Sequence, residues 1–379
     1  MKSAVYLFSG NRWIGHLCNQ LTDDKNAHLV LCFGPKNGFI QLDIFSALQK
    51  KFSSAQLVMC STAGEIYQNT VTEDSVIAIA FQFDKTKLST TSVNIKDFPN
   101  SYDAAIQLAD NLVKKDLSYV LVFSDGSLVN GSKLVNGLNA ATGKNVLVTG
   151  GLAGDGINFE STLVGLNETP AEGKIVAIGF YGKNIIIKHG SQGGSDSFGL
   201  EKKITKSADN VLFELEDQNA LELYKKYLGP EAKNLPGAAL LYPLSLTVPG
   251  TSLPVVRTIL SIDEVLKSMT FSGDVPVGSK VRFMKSVDDK LIKSASIAAQ
   301  QTLMNNKHKP EFALLISCVG RKLLLKSRIE EEVEAVKNVF GSNIMMAGFY
   351  SYGEISPADD SNECHLHNQT MTITTFYEL

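Results

Sequence analysis

Apolar and polar residues recur along this chain in a repeated order. Short apolar runs at His28–Phe33, Ala55–Met59, Tyr119–Phe123, Val146–Val148, Phe312–Ile316 and Ile344–Met346 read as buried strands. Between the members of each pair lies a stretch with helical spacing: Ile40–Phe52, Leu134–Ala141 and Leu325–Phe340. Each pair ends in a turn that carries glycine and closes on an acid: Cys60–Glu65, Gly150–Asp155 and Phe349–Glu354. A further strand follows each turn, at Val76–Phe83, Ile175–Phe180 and Met371–Phe376. The pattern predicts three β-α-β-turn-β units. The expected fold is α/β, with repeated β-α-β-β units forming two packed regions of mixed sheets flanked by helices.

The remaining segments fill the gaps. Ala4–Phe8 reads as a strand and Trp13–Leu21 as a short amphipathic segment. Alternation marks a strand over 89–99, and Tyr102–Leu112 has helical spacing. After residue 182 the composition shifts. Ile185–Ile187 is a strand, and Lys188–Ser195 reads as a flexible polar loop. Short strands at Ile204-Thr205 and Val211–Leu215 flank an Asp209-Asn210 turn, and a helix over Ala220–Leu228 is stopped by Gly229-Pro230. Strands at Val255–Ile262, Ser268–Ser272 and Lys280–Met284 precede a long helix, Asp288–Met304.

Composition narrows the class. A chain of 379 residues with 44% hydrophobic and 20% charged residues suits a globular protein with two sizeable cores. Thirty-six basic against 39 acidic residues give a net charge of −3, so no basic field points to nucleic acid. Neither a signal peptide nor an apolar run of about 20 residues is present, so a cytoplasmic location with no membrane contact is expected. The cysteines at 18, 32, 60, 318 and 364 are odd in number and scattered, which fits reduced thiols better than disulfides.

Several motifs together resemble the FIST family, with its N-terminal and C-terminal regions side by side. They are CSTAGEI at Cys60–Ile66, GGLAGD at Gly150–Asp155, His189-Gly190, Glu214–Leu228, SCVGR at Ser317–Arg321, GFYSYGEI at Gly348–Ile355 and HNQTMT at His367–Thr372. The resemblance divides the chain into regions 1–187 and 188–379. It implies an intracellular sensory protein that binds a small ligand such as an amino acid. The implied partner is a signalling protein, such as a histidine kinase, a chemoreceptor or a cyclic-di-GMP protein. A subgroup of the family binds haem and senses nitric oxide. Two places depart from the family pattern: Ser191 stands where an aromatic follows His-Gly, and Asp217–Ala220 replaces an acidic-Gly-Pro-Ala stretch.

The candidate ligand residues lie in the turns. Glu65, Asp155 and Glu354 read as equivalent carboxylates, one per unit. Such a carboxylate holds an ammonium group, or else accepts hydrogen bonds from its own turn. Ser61, Thr62, Gly64 and Gly151 belong to the same turns, whose exposed N–H groups suit a ligand carboxylate. Arg321 offers a planar fork to a carboxylate or forms a structural ion pair. Tyr350 and Tyr352 share a face if the strand continues, ready to stack on a planar ligand or to pack in the core. His189 precedes glycines, a position open to an axial haem ligand. Cys364-His365-Leu366-His367 lacks a fourth ligand and is a weak zinc signal, so no metal is assigned.

No phosphate-binding loop, GxGxxG, HExxH or GxSxG is present, so the chain is expected not to be an enzyme and to have no cofactor. The remaining alternative is a thiol-dependent hydrolase using Cys60 or Cys318, which needs a His or an acid beside the thiol. The sequence contains no kinase, cyclase or receiver region, so signal output is expected in another chain.

Overall fold

The computed structural model describes residues 1–9, 12–19, 21, 23–143, 145–235, 237–251, 254–304, 308–358 and 362–379. Three six-stranded sheets form the body. Each is built on a parallel strand pair flanked by one antiparallel strand, as the three units predict.

In the first unit β1 (Lys2–Ser9) and β2 (Arg12–Asn19) form an edge hairpin beside the unit's core strands. The core strands are β3 (Leu29–Gly34) and β4 (Gln56–Ser61), which are parallel. β5 (Glu65–Tyr67) and β6 (Thr70–Thr72) follow, then β7 (Val76–Gln82), antiparallel to β3. The second unit has β8 (Lys87–Asn94), the parallel pair β9 (Leu117–Ser124) and β10 (Leu147–Leu152), then β11 (Val164–Leu166) and β12 (Lys174–Tyr181). β13 (Ile185–Gly193) opens the third sheet.

A lobe intervenes. It comprises β14 (Ser195–Ala208), β15 (Val211–Leu215), β16 (Gln218–Asn219), β17 (Leu244–Thr247), β18 (Val255–Arg257), β19 (Ile259–Asp263), β20 (Ser268–Phe271) and β21 (Lys280–Ser286). The third unit then closes with the parallel pair β22 (Phe312–Cys318) and β23 (Met345–Ser351), followed by β24 (Gly353–Pro357), β25 (Cys364–His367) and β26 (Thr370–Glu378).

The units exchange strands in a ring. The segment after each parallel pair leaves its own sheet and pairs with the second parallel strand of another unit. β5 pairs with β23, β24 pairs with β10, and β11 pairs with β4. Each such strand satisfies edge backbone groups of a neighbouring sheet, so the sheets lock together. Their inner faces meet in one apolar core that takes strands from all three units. At its centre Phe33, Phe123 and Phe349 approach one another at 4.6–6.0 Å between ring centroids.

Helices cover the outer faces, each where one apolar stripe meets a sheet. α1 (Lys36–Gln41) and α2 (Ile44–Lys51) cover the first sheet. The expected single helix over 40–52 is split at Leu42-Asp43, where the Asp43 carboxylate caps α2 through the Ser46 N–H. α3 (Ser101–Asp110) and α4 (Gly131–Thr142) cover the second sheet. α5 (Ala220–Leu228) lies in the lobe and spans the predicted residues. α6 (Asp288–Leu303), α7 (Val319–Leu325) and α8 (Ile329–Phe340) cover the third sheet. The expected helix over 325–340 is α8, which begins at Ile329, and α7 is an additional helix that starts directly after β22.

Two other expectations change. The segment Trp13–Leu21 lies mainly in strand β2. The loop expected over Lys188–Ser195 is mostly strand: β13 runs through His189 to Gly193 and pairs with β26 along its whole length. The glycine there serves close packing, because a Cβ on Gly190 would lie 2.0 Å from the Ala298 carbonyl oxygen of α6. Among the described residues no helix is long and apolar enough to cross a membrane.

Candidate functional site

The strand exchange brings the three turns together. The Gly154 N–H donates to the Ser61 carbonyl at 2.9 Å and the Gly156 N–H to that of Thr62 at 3.2 Å. Ala63 N–H donates to Tyr350 O, and Tyr350 N–H to Gly64 O, both at 2.8 Å. Tyr352 N–H donates to Leu152 O at 3.3 Å.

A cleft of about 670 Å³ opens beside this junction. Its walls come from Pro35–Gly38 and Leu42 of the first unit, Thr62–Gly64 of its turn, Glu73 and Asp74 after β6, and Asp155–Asn158 and Glu160 of the second unit. Lys322, on α7 of the third unit, completes it. The Lys322 ammonium donates to the Ala63 carbonyl at 2.6 Å and lies 2.7 Å from the Glu73 carboxylate. Lys36 points its ammonium at the Ser161 hydroxyl. Gly64 has a φ of +135°, and a Cβ there would lie 3.1 Å from the Lys322 ammonium. Glycine thus permits both the turn and the lysine above it.

Of the predicted site residues, Thr62, Gly64 and Asp155 line this cleft. Glu65 lies beneath it, fully buried, accepting from Thr62 Oγ1 at 2.5 Å and Thr72 Oγ1 at 3.4 Å. Burial pushes its carboxyl up to about 8, against partial opposition from those hydroxyls and Lys322. Ser61 is buried, donating to Gly154 O and accepting from Leu163 N–H. Gly151 is buried in β10, paired with Glu354 across the ladder. Glu354 is also buried, accepting from Ser351 Oγ at 2.7 Å and from Thr370 Oγ1 at 2.9 Å. Burial raises its carboxyl to about 8 as well.

Asp155 is not the equivalent of the two glutamates. Glu65 pairs with Phe349 and Glu354 with Gly151, whereas the corresponding position opposite Cys60 is Val164. The Asp155 carboxylate instead accepts from the N–H groups of Phe159, Glu160 and Ser161 at 2.9–3.1 Å, and from the Tyr352 hydroxyl. Tyr352 stacks on Phe159, with ring centroids 4.6 Å apart.

Arg321 and Tyr350 are held away from the cleft. The Arg321 guanidinium is fully buried and meets Glu332 at 2.7 Å, Ser294 Oγ at 3.0 Å and Leu291 O at 2.6 Å. Tyr350 donates to the same Glu332 carboxylate at 2.7 Å. Arg321 thus makes a structural ion pair, with Glu332 as the acid. The cations that do face the cleft, Lys36 and Lys322, were not singled out in the sequence, and neither was Glu73.

His189 lines a separate cleft of about 560 Å³ with Leu147, Ile187, Lys188, Ser191, Gln301, Met304, Pro357 and Asn362. Haem needs apolar walls on both faces of its macrocycle, and this mixed polar lining does not fit it. The Cys60 and Cys318 thiols are buried, and burial pushes both up, opposite to what a nucleophile needs. His367 is held neutral by burial at about 4 and bonds Ser356 O at 2.9 Å. Among the described residues no three His, Cys, Asp or Glu side chains are grouped to hold a metal ion.

With this geometry in place, the chain can be compared with known proteins. The FIST N domain matches residues 28–218 and the FIST C domain matches residues 220–357. The chain belongs to the FIST family. Two relatives in Mycobacterium tuberculosis, the uncharacterized proteins MT0656 (strain CDC 1551 / Oshkosh) and Rv0628c (strain ATCC 25618 / H37Rv), are each 25% identical over 128 residues. That match spans 34% of this chain and 33% of each relative. Two solved structures of cyanuric acid hydrolases, one from A. caulinodans, align over 100% of this chain and 100% and 99% of theirs. Their identities are 9% and 10%, each with a TM-score of 0.33. The expectation that the chain is not an enzyme is corrected here, because the proteins it aligns with in structure are named as hydrolases. At that TM-score the likeness assigns no activity to this chain.

Proposed function

We propose that this FIST-family chain is a sensory protein that binds an amino-acid-like molecule in the cleft where its three units meet. Occupancy would be read by a separate signalling partner, such as a histidine kinase, a chemoreceptor or a cyclic-di-GMP protein. One observation carries the reading: the cleft takes walls from all three units and lines them with both ammonium and carboxylate groups. A zwitterion finds both its charges matched there. Because the walls belong to different units, a ligand touching all of them favours one relative arrangement over others, which is the requirement for sensing.

The test is a thermal-shift panel of the common amino acids on the full chain. A ligand present at about 100 times its Kd adds about 2.7 kcal/mol to stability. At least one amino acid is expected to raise the melting temperature by a few degrees, and Lys36→Gln or Asp74→Asn is expected to reduce that shift. A panel with no shift at all overturns the reading.

A further inference from the structure

We infer that the Lys322–Glu73 ion pair is where the ligand enters: an amino acid inserts between the two side chains, its carboxylate taking Lys322 and its ammonium taking Glu73. This rests on the reading of the cleft proposed above and adds which groups recognise the ligand and what it must displace.

The two partners differ in how firmly they are held. The Lys322 side chain is 11% exposed and fixed by the Ala63 carbonyl at 2.6 Å. The Glu73 side chain is 68% exposed and, among the described residues, has no partner besides Lys322. An exposed carboxylate leaves such a pair at small cost, because water solvates it at once. The lysine, largely withdrawn from water, has no such recourse and needs an anion. In the free protein Glu73 supplies that anion and so competes with the ligand for Lys322.

The other charges at the cleft do not replace either partner. Lys36 is directed at Ser161, and Asp155 is taken by its own loop and Tyr352. Asp74 and Glu160 line the cleft and add to its attraction for an ammonium group. Insertion of a zwitterion leaves both Lys322 and Glu73 paired. A simple carboxylate frees Glu73 into water, a small loss. A simple amine leaves Lys322 without an anion, a larger one. The expected order of affinity is therefore amino acid, then carboxylic acid, then amine.

Titration calorimetry of the full chain with L-alanine, propanoate and ethylamine tests this in wild type and Glu73→Gln, with Lys322→Gln as the loss-of-binding control. Glu73 is exposed, so the variant is expected to melt as wild type does. In wild type, alanine is expected to bind more tightly than propanoate, with no measurable binding of ethylamine. In Glu73→Gln, propanoate is expected to gain about tenfold, since its competitor is gone, and alanine to lose its lead over propanoate. Lys322→Gln is expected to bind neither. If alanine binds wild type and Glu73→Gln equally and propanoate gains nothing, insertion is overturned while the cleft reading stands. If neither these probes nor any amino acid of the panel binds wild type, both fall.

Discussion

Glu354 offers a quantitative test of how the buried junction is built. The folded carboxyl is pushed up to about 8 by burial, against 4.5 for an ordinary glutamate. The native state therefore holds a proton on Glu354 that the unfolded chain releases between those values. Stability is full below the lower value and falls as pH rises through the higher one. Between pH 5 and pH 8 the linkage integral gives a loss of about 3–4 kcal/mol from this group alone. Glu65, raised to about 8 by burial in the same way, adds a similar loss in wild type. Glu354→Gln keeps the shape and replaces the protonated carboxyl with a neutral amide, whose oxygen accepts from Thr370 and whose NH2 donates to the Ser351 hydroxyl, the latter bond reversing direction. The assay is urea unfolding of wild type and Glu354→Gln across pH 5 to 8. The variant's stability relative to wild type is expected to rise by about 3–4 kcal/mol over that range. Parallel profiles would mean that the carboxylate is ionised in the fold and that the burial argument is wrong.

Other perturbations reach different parts of the molecule. Glu378 behaves oppositely: burial works to raise its carboxyl, but bonds from Thr86 and from the Asp84, Lys85 and Thr86 N–H groups hold it at about 2. Discounted for solvent screening, it stabilises the fold by about 2–3 kcal/mol above its unfolded value, lost as pH falls towards 2, and Glu378→Gln should flatten that acid limb in melting curves. Arg321→Ala leaves Glu332 buried and unpaired and is expected to cost about 3–5 kcal/mol in chemical unfolding, with the Arg321→Met/Glu332→Leu pair costing far less. Gly64→Ala is expected to cost about 1–3 kcal/mol through its left-handed φ and to weaken amino-acid binding by displacing Lys322, read by melting and titration.

The sequence carried the local elements well because their signals are local. Ala220–Leu228 has its cap at Asn219 and its stop at Gly229, and the helix obeys both. The apolar runs of the parallel pairs became strands for the same reason. The exchange of strands was invisible, since nothing near Glu65 states that it pairs with Phe349. That missing register also made Asp155 look like a third copy of Glu65 and Glu354. Arg321 and Lys322 illustrate a smaller failure with a definite cause. With the strand expected to end at Ile316 and no helix expected before Leu325, Arg321 was left free to reach a ligand. Once α7 is seen to begin at Val319, adjacent residues diverge by about 100° around its axis. The arginine then turns into the core, and the lysine faces the turns.

The ring of exchanged strands also explains why the cleft lies at the turns. A segment that crosses from one sheet to another must pass over the common junction, and the loops that make the crossing converge there. Thr62–Gly64 leads into β5, bound for the third sheet, while the loop from Ala153 leads to β11, bound for the first. Both therefore carry their backbone past the same point, where Gly154 and Gly156 bond Ser61 and Thr62. A ligand held against Thr62, Gly64 and Lys322 touches the hinge of one exchange and the helix of the receiving unit at once. Any shift of α7 against the first turn must stretch the 2.6 Å bond from Lys322 to Ala63, and β5 is anchored one step further on. On the proposed reading, occupancy of the cleft would act on the contact that ties the first unit to the third. In this fold the ligand would act through that contact.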